Sequence, residues 1–159
     1  MAASDSNNPA QDEARLTAMM QRWAEGKATL RDVRGYTDEE LYAIARTAYF
    51  FYYQGRVAEA RTLFQGLYAI NPADAYFAKA LGVVEMAAGN PQGALAAYDV
   101  ALKLDARDAQ AYVGRAEVRL SLGQKAQALE DLRRVSSLVD EEEPLAHKAA
   151  AMMTALTQR

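Results

Sequence analysis

The chain has 159 residues, a formal net charge of -3 at pH 7, 51% hydrophobic residues, no cysteine and one histidine. A chain of this length and composition can bury one sizeable core, so we expect a single globular domain. The lack of cysteine excludes disulfides and thiolate chemistry, and one histidine argues against a zinc site. The mildly acidic charge, without a basic stripe, argues against nucleic acid as a partner.

The first residues of the chain are polar and small. Residues 1–12 predict a disordered tail, because they bury too little apolar surface to offset the entropy of ordering. They contain neither a basic region nor an apolar region of the kind found in secretory signals, and the chain has no long apolar run. We therefore expect a cytosolic protein with neither a signal peptide nor a membrane as partner.

An amphipathic helix is predicted next, over about residues 13–26. Its apolar side chains recur at helical spacing on one face, opposite charged residues. An apolar face of this kind is usually buried, so it either packs against the rest of the chain or mediates self-association. The residues of this face are Leu16, Met19, Met20 and Trp23. Thr37, with Glu40 three residues later, has the capping-box pattern and predicts the start of the following helix.

A 34-residue repeat occupies the middle of the chain. The glycine of each unit predicts a turn between two antiparallel helices, and the alanine predicts a close helix crossing. A helix pair of this size cannot bury its apolar face alone, so the pattern predicts three stacked pairs. The repeating residues are Gly55, Gly89 and Gly123, then Ala60, Ala94 and Ala128, then Phe64, Tyr98 and Leu132; the repeats span about 41–74, 75–108 and 109–142.

A last helix is predicted over about residues 145–158, after an acidic run. Leu145, Ala149 and Met152 recur on one of its faces, as expected of a helix that covers the last repeat. The fold predicted from these elements is an all-α solenoid, with residues 13–159 forming one domain. It consists of the N-terminal amphipathic helix, three helix pairs and a C-terminal solvating helix.

The first helix of each repeat carries more apolar surface than a core requires. Leu41, Ile44 and Ala48 supply the core face of the first one, and a second stripe lies roughly 100° around the helix. Tyrosines in this stripe suit binding, because they bring large rigid rings and hydroxyls that reach a peptide backbone. The predicted peptide-binding groove is lined by Tyr42, Ala45, Tyr49, Tyr52, Tyr53, Tyr76, Lys79, Val83, Met86, Val113 and Glu117.

Two alternatives for this stripe stay open at the level of sequence. The tyrosines could be covered by the N-terminal helix or by a second copy of the chain. Lys79 and Glu117 could fix the direction of a bound segment, or they could be solvated charges.

Two opposite charges recur at one position of the repeat. Glu85 and Arg119 are 34 residues apart and therefore take equivalent positions in repeats two and three. Because equivalent positions of adjacent repeats lie side by side, we expect these two charges to form an ion pair.

The three units resemble tetratricopeptide repeats with differing fidelity. In repeat two, for example, Leu81, Gly82, Ala94 and Tyr98 match the family pattern. The layout from about residue 15 to 158 also resembles the class II chaperones of bacterial type III secretion, which serve the translocator proteins. Local matches are the segment ELYA at 40–43, the segment DAYF at 74–77 and the final helix rich in Ala and Met.

This resemblance implies a non-catalytic chaperone of the bacterial cytoplasm without cofactor or metal. Members of that family hold hydrophobic translocators before export and receive an extended client segment in the concave groove. A homodimer through the N-terminal helix and a transcriptional activator as a second partner are further implications. The alternatives are a general tetratricopeptide scaffold and a co-chaperone of a needle subunit. An enzyme is disfavoured, because no nucleophile and base pair or phosphate loop stands out.

Overall fold

The computed structural model describes residues 9–158, and this part of the chain consists of helices joined by turns. The helix bounds are α1 Pro9–Ala24, α2 Leu30–Arg34, α3 Asp38–Tyr53, α4 Val57–Ile70, α5 Ala75–Ala87, α6 Pro91–Leu104, α7 Ala109–Ser121, α8 Lys125–Ser136 and α9 Pro144–Thr157. The first helix begins at Pro9 rather than near residue 13. The rest of the predicted tail, residues 1–8, lies outside the described residues.

Three antiparallel helix pairs form the body of the protein. The pairs are α3 with α4, α5 with α6, and α7 with α8. Each pair packs on the next, because α4 contacts α5 and α6 contacts α7, and α9 closes the stack against α8. The predicted all-α solenoid of three repeats is therefore confirmed.

The repeating glycines form the turns inside each pair. Gly55, Gly89 and Gly123 have φ angles of 77°, 75° and 76°, in the left-handed region that side chains disfavour. A residue with a Cβ costs roughly 1–2 kcal/mol in this conformation. The 34-residue spacing of glycine thus follows from one backbone requirement repeated three times.

The core of the stack is built from the other repeating positions. Ala60, Ala94 and Ala128 are completely buried, as the close helix crossing requires. The larger residues four positions later, Phe64 and Leu132, are also completely buried. Burying a side chain of this size contributes about 1.5–3 kcal/mol relative to leaving it exposed.

Side-chain caps fix where the helices begin. The Thr37 hydroxyl accepts a hydrogen bond from the Glu40 amide at 3.2 Å, and the Glu40 carboxylate accepts one from the Thr37 amide at 2.9 Å. This capping box confirms the predicted start of α3. Asp74 and Asp108 cap α5 and α7 in a related way, each accepting a hydrogen bond from a backbone amide of the first turn.

The predicted ion pair between Glu85 and Arg119 is wrong. Glu85 accepts a hydrogen bond from Arg61 Nε at 2.8 Å, and Arg119 donates to Asp131 at 2.8 Å. Equivalent positions of α5 and α7 do lie on neighbouring helices, but α4 also packs against α5 and α8 against α7, and these second helices supply the partners. Each charge instead reaches a second helix, α4 for Glu85 and α8 for Arg119.

Arg115 is a further charge inside the stack, at a position where repeat two has Leu81. It donates two hydrogen bonds to Asp131, at 2.7 and 3.1 Å, and one to Asp99 at 2.7 Å. Burial alone would lower the pKa of Arg115, but its hydrogen bonds to Asp131 and Asp99 outweigh burial and raise it. The guanidinium is therefore fixed as a cation between α6 and α8.

The N-terminal helix stands apart from the tyrosine stripe. Its packing partner is α2, and α2 contacts α4, the second helix of repeat one. Leu16 is 52% exposed and Met19 is half-buried, whereas the side chains of Met20 and Trp23 lie outside the described residues. Leu16 thus lacks a cover from the protein's own core.

Candidate peptide-binding groove

Tyrosines of α3 and α5 form a continuous aromatic cluster on the surface lined by the first helices. Tyr42 and Tyr76 have ring centroids 5.3 Å apart, and Tyr49 lies 6.2 Å from both Tyr76 and Tyr53. Aromatic pairs at these separations stabilise one another by about 0.5–1.5 kcal/mol beyond their buried area. The cluster therefore presents a pre-ordered wall that spans repeats one and two.

This wall has a buried base and an exposed rim. The ring of Tyr49 packs edge-on against the core residue Phe64, with centroids 4.9 Å apart, and burial raises the pKa of Tyr49. Tyr53, stacked above it, is 80% exposed. Tyr42, Tyr52 and Tyr76 are half-buried. The inner rings of the wall are thus fixed by the core, whereas the Tyr53 ring faces solvent.

A carboxylate anchors Tyr42 within the wall. The Tyr42 hydroxyl donates a hydrogen bond to Asp74 Oδ2 at 2.8 Å, while Asp74 Oδ1 accepts one from the Tyr76 amide at 2.9 Å. Burial and the hydrogen bond to Asp74 raise the pKa of Tyr42 to about 12. Its phenol is therefore a neutral hydrogen-bonding group at physiological pH.

Lys79 is engaged within the protein. Its ammonium lies 2.6 Å from Asp108 Oδ2 and 3.4 Å from the Gln110 amide oxygen. Asp108 also accepts a hydrogen bond from the Ala111 amide at 3.0 Å, so the pair joins α5 to the first turn of α7. Lys79 acts here as a link between repeats two and three.

The last groove residue, Glu117, pairs with the closing helix. Its carboxylate lies 2.6 Å from the ammonium of Lys148 on α9, and both side chains are about half exposed. An exposed pair of this kind contributes roughly 0–1 kcal/mol. The sequence did not predict this pair, because Lys148 and Glu117 are far apart in the chain and only the packing of α9 brings them together.

Two predicted groove residues belong to the core instead. Ala45 is 1% exposed and packs in the cluster that contains Leu41 and Phe77. Val113 is 3% exposed and packs in the cluster that contains Ala149 of α9. Their short side chains end below the larger neighbours on the same helix face. A residue can therefore lie on the groove side of its helix and still be out of reach of a bound peptide. Val83 and Met86 are half-buried and remain candidates.

A core tyrosine that the groove prediction omitted lies beneath this surface. The ring of Tyr98, on α6, sits between Gly82 of α5 and Gly114 of α7. A Cβ at Gly82 would stand 2.9 Å from the Tyr98 ring, and a Cβ at Gly114 would approach its hydroxyl to 2.4 Å. Burial raises the pKa of Tyr98, with smaller contributions from Glu117 and other nearby groups. The two glycines inside α5 and α7 were the sequence feature that could have predicted a large side chain between these helices.

Other kinds of site are not found in the part of the chain that the structure describes. No helix within residues 9–158 is both long and apolar enough to cross a membrane. No three carboxylate or imidazole side chains among these residues come together as metal ligands.

The sequence and the fold agree on the class of this protein. The family model described as tetratricopeptide repeat matches residues 46–109 and 79–140, which together span more than half of the chain. The chain therefore belongs to the tetratricopeptide repeat family. No curated protein sequence matches it.

Within that class, the fold is that of the type III secretion translocator chaperones. The chaperone SycD of Yersinia enterocolitica matches with a TM-score of 0.74 and 23% identity, over 80% of this chain and 98% of SycD. PcrH of Pseudomonas aeruginosa matches with a TM-score of 0.71 and 25% identity, over 77% of this chain and 95% of PcrH. PcrH in complex with the chaperone-binding region of PopD matches with a TM-score of 0.72, 25% identity and the same coverage.

Proposed function

We propose that this protein is a type III secretion chaperone that binds a hydrophobic translocator protein in its groove. The observation that carries the proposal is the aromatic wall of Tyr42, Tyr49, Tyr53 and Tyr76 on a fold shared with translocator chaperones. The fold is shared with PcrH in complex with the chaperone-binding region of PopD and with SycD in complex with a peptide of the translocator YopD, which supports a translocator as the client here.

The wall suits an extended client segment. Apolar client side chains would pack between the tyrosine rings, and the phenol hydroxyls would hydrogen-bond the client backbone. Masking the apolar parts of a translocator before export would prevent its self-association and premature insertion into membranes. The proposed contact residues are Tyr42, Tyr49, Tyr52, Tyr53, Tyr76, Val83 and Met86, with Lys79 and Glu117 as charged borders.

The chemistry of the groove supports a binding role. Its most common polar groups are phenols, and the pKa values of Tyr42, Tyr49 and Tyr76 are all raised by burial. The nearby carboxylates of Asp74 and Asp108 are engaged as helix caps. Phenols with raised pKa values stay neutral at pH 7, which suits them to hydrogen bonding rather than to nucleophilic attack. The proposed location is the bacterial cytoplasm, where clients wait for export.

Self-association through α1 belongs to the same proposal. Leu16 is 52% exposed on a helix whose packing partner is the short helix α2. A SycD structure is described as an alternative dimer. Replacing Leu16 by Glu should shift sedimentation toward the monomer, whereas replacing the exposed neighbour Arg15 by Glu should not.

Co-expression tests the proposed function. The protein is produced with hydrophobic translocators encoded in the same gene cluster, and co-purifying proteins are identified by mass spectrometry. We expect a stable complex that is lost when Tyr53 and Tyr76 are both replaced by Ser. Replacing Phe50 by Ser is the matched control, because Phe50 is 58% exposed on α3 but lies outside the stripe. A complex that survives the tyrosine changes would contradict the proposal.

A further inference from the structure

The side of the stack opposite the groove contains two equivalent furrows. One lies between α4 and α6 with α5 as its floor, and the other lies between α6 and α8 with α7 as its floor. The 34-residue register assigns each residue of the first furrow an equivalent in the second. The two furrows can therefore be compared position by position.

Large side chains fill the furrow between α6 and α8. Tyr112, Arg115 and Arg119 rise from α7, and Asp131 of α8 receives hydrogen bonds from both arginines. The guanidinium carbon of Arg115 also lies 5.5 Å from the centroid of the Tyr112 ring. Side chains of the protein itself thus occupy the space over α7.

Smaller residues leave the furrow between α4 and α6 open. Ala78, Leu81 and Ala97 stand where the second furrow has Tyr112, Arg115 and Asp131. The result is an apolar pocket of about 250 Å³. It is lined by Tyr68 of α4, by Ala78 and Leu81 of α5, and by Ala96, Ala97 and Val100 of α6. Pockets for small-molecule ligands usually run from about 300 to 1,000 Å³, so this one suits a single apolar side chain.

An arginine with available donors, Arg61, pairs with one residue of the pocket lining, Glu85. Glu85 lies at one end and accepts hydrogen bonds from Arg61 Nε at 2.8 Å, Gln65 at 3.0 Å and Asn90 at 2.7 Å. This contact fixes the guanidinium, yet the terminal amino groups of Arg61 have no hydrogen-bond acceptor among residues 9–158, and its side chain is 38% exposed. A planar guanidinium held in this way is suited to a carboxylate from outside.

We propose that the furrow between α4 and α6 is a second docking site, for a partner protein that presents an apolar side chain next to an acidic residue. A side chain the size of Leu or Met enters the pocket, and the neighbouring carboxylate pairs with Arg61. The site lies on the face opposite the tyrosine wall, so a partner can bind while the groove is occupied. It therefore stands independently of the translocator proposal.

Peptide titration tests the proposed chemistry. The probe is a capped 14-residue helical peptide of Ala and Gln with one Leu and a Glu four residues later, added to the ¹⁵N-labelled full chain. We expect saturable amide shifts at Gly93, Ala96 and Val100. Changing the peptide Leu to Ser should weaken binding about tenfold, because the buried apolar side chain is lost. Changing the peptide Glu to Lys should have a similar effect, because its hydrogen bond to the Arg61 guanidinium is lost.

Two protein variants locate the site. Ala96→Glu with Val100→Arg copies the equivalent residues Glu130 and Arg134 of the second furrow and should abolish the shifts. Arg61→Gln should keep the requirement for Leu but remove the preference for Glu over Lys. The control Glu130→Ala with Arg134→Val changes the same positions one repeat later, both exposed, and should leave binding unchanged.

Three results would overturn the proposal. They are the absence of saturable shifts at Gly93, Ala96 and Val100, shifts confined to groove amides such as Tyr76 and Val83, and unchanged binding by the Ala96→Glu and Val100→Arg variant. Circular dichroism of each variant should show a retained helical stack, because Arg61, Ala96 and Val100 all reach the surface.

Discussion

The hydroxyl of Tyr42 donates a hydrogen bond to Asp74 at 2.8 Å, although the two residues belong to different ends of repeat one. Asp74 at the same time caps α5, the first helix of repeat two. Lys79 and Asp108 repeat this relationship one unit later, with a separation of 2.6 Å. Tyr42 and Lys79, two residues of the proposed groove, therefore also link successive repeats.

Removing the Tyr42 hydroxyl tests this link. Tyr42→Phe should lower the free energy of unfolding by about 0.5–1.5 kcal/mol, the usual net contribution of one hydrogen bond, while the ring contacts remain. Urea denaturation measures the change. Tyr36→Phe is the control, because Tyr36 is 39% exposed and its hydroxyl has no hydrogen bond within residues 9–158. Equal stability of the two variants would contradict the link.

Glu85 should make the stability of the protein sensitive to acid. Burial alone would raise its pKa, but hydrogen bonds from Arg61, Asn90 and Gln65 outweigh burial and hold it below the ordinary value of 4.5. A carboxyl whose pKa is lowered by folding stabilises the protein above its unfolded-state pKa, and that stabilisation is lost as pH falls through the folded-state value. Glu85→Gln should therefore flatten the loss of stability below about pH 4.5.

Thermal melts of both proteins between neutral and acidic pH measure this difference. The control is Glu59→Gln, since Glu59 also pairs with an arginine but at an exposed site. If Glu85→Gln and the wild-type protein lose stability in parallel as pH falls, Glu85 is not a source of the acid sensitivity.

Asp131 should matter more than Asp99, although both bind Arg115. The Asp131 side chain is 4% exposed and satisfies two arginines, whereas Asp99 is 43% exposed. Asp131→Ala leaves buried charges without their partner and should cost about 3–5 kcal/mol. Asp99→Ala breaks an exposed arm of the same network and should cost about 1 kcal/mol or less. Chemical denaturation distinguishes them, and equal losses would contradict the assigned network.

Any residue larger than glycine at position 114 should lower the stability of the protein, because the Tyr98 side chain lies against this position. A Cβ at Gly114 would come within 2.4 Å of the Tyr98 side chain. Gly114→Ala should therefore destabilise the protein by about 1–3 kcal/mol through overpacking. Combining it with Tyr98→Leu, the residue at the equivalent position of repeat three, should recover part of the loss.

Gly66→Ala is the opposite control. A Cβ at Gly66 would meet nothing within 4 Å, and this glycine lies inside α4. Alanine there should stabilise the protein by about 0.5–1 kcal/mol. Melting temperatures that fall equally for Gly66→Ala and Gly114→Ala would show that the Tyr98 side chain does not lie against Gly114.

The fold was predictable because its determinants are local and repeated. A left-handed turn at Gly55, a small residue at Ala60 and a cap at Thr37 each follow from nearby sequence, and the register then places every repeat. How deeply each side chain is buried was less predictable. Ala45 and Val113 point in the direction expected of groove residues, yet longer neighbours and packed helices bury them.

Contacts between elements were the least predictable. The partners of Glu85 and Arg119 depend on which side chains the second helices α4 and α8 place beside them, and the repeat pattern does not show this. The position of Tyr98 between Gly82 and Gly114 depends on three helices together. The prediction that Met20 and Trp23 share the self-association face of Leu16 stays a prediction.

Site-specific crosslinking tests the central claim, that the tyrosine wall holds the translocator segment. Benzoylphenylalanine is placed at Tyr53, which is 80% exposed on the wall, or at Phe50, which is 58% exposed outside it. After irradiation of the co-expressed complex, we expect a chaperone and translocator crosslink from the position of Tyr53 and little from that of Phe50. Equal crosslinking from both positions, or crosslinking from Phe50 alone, would contradict the proposed groove.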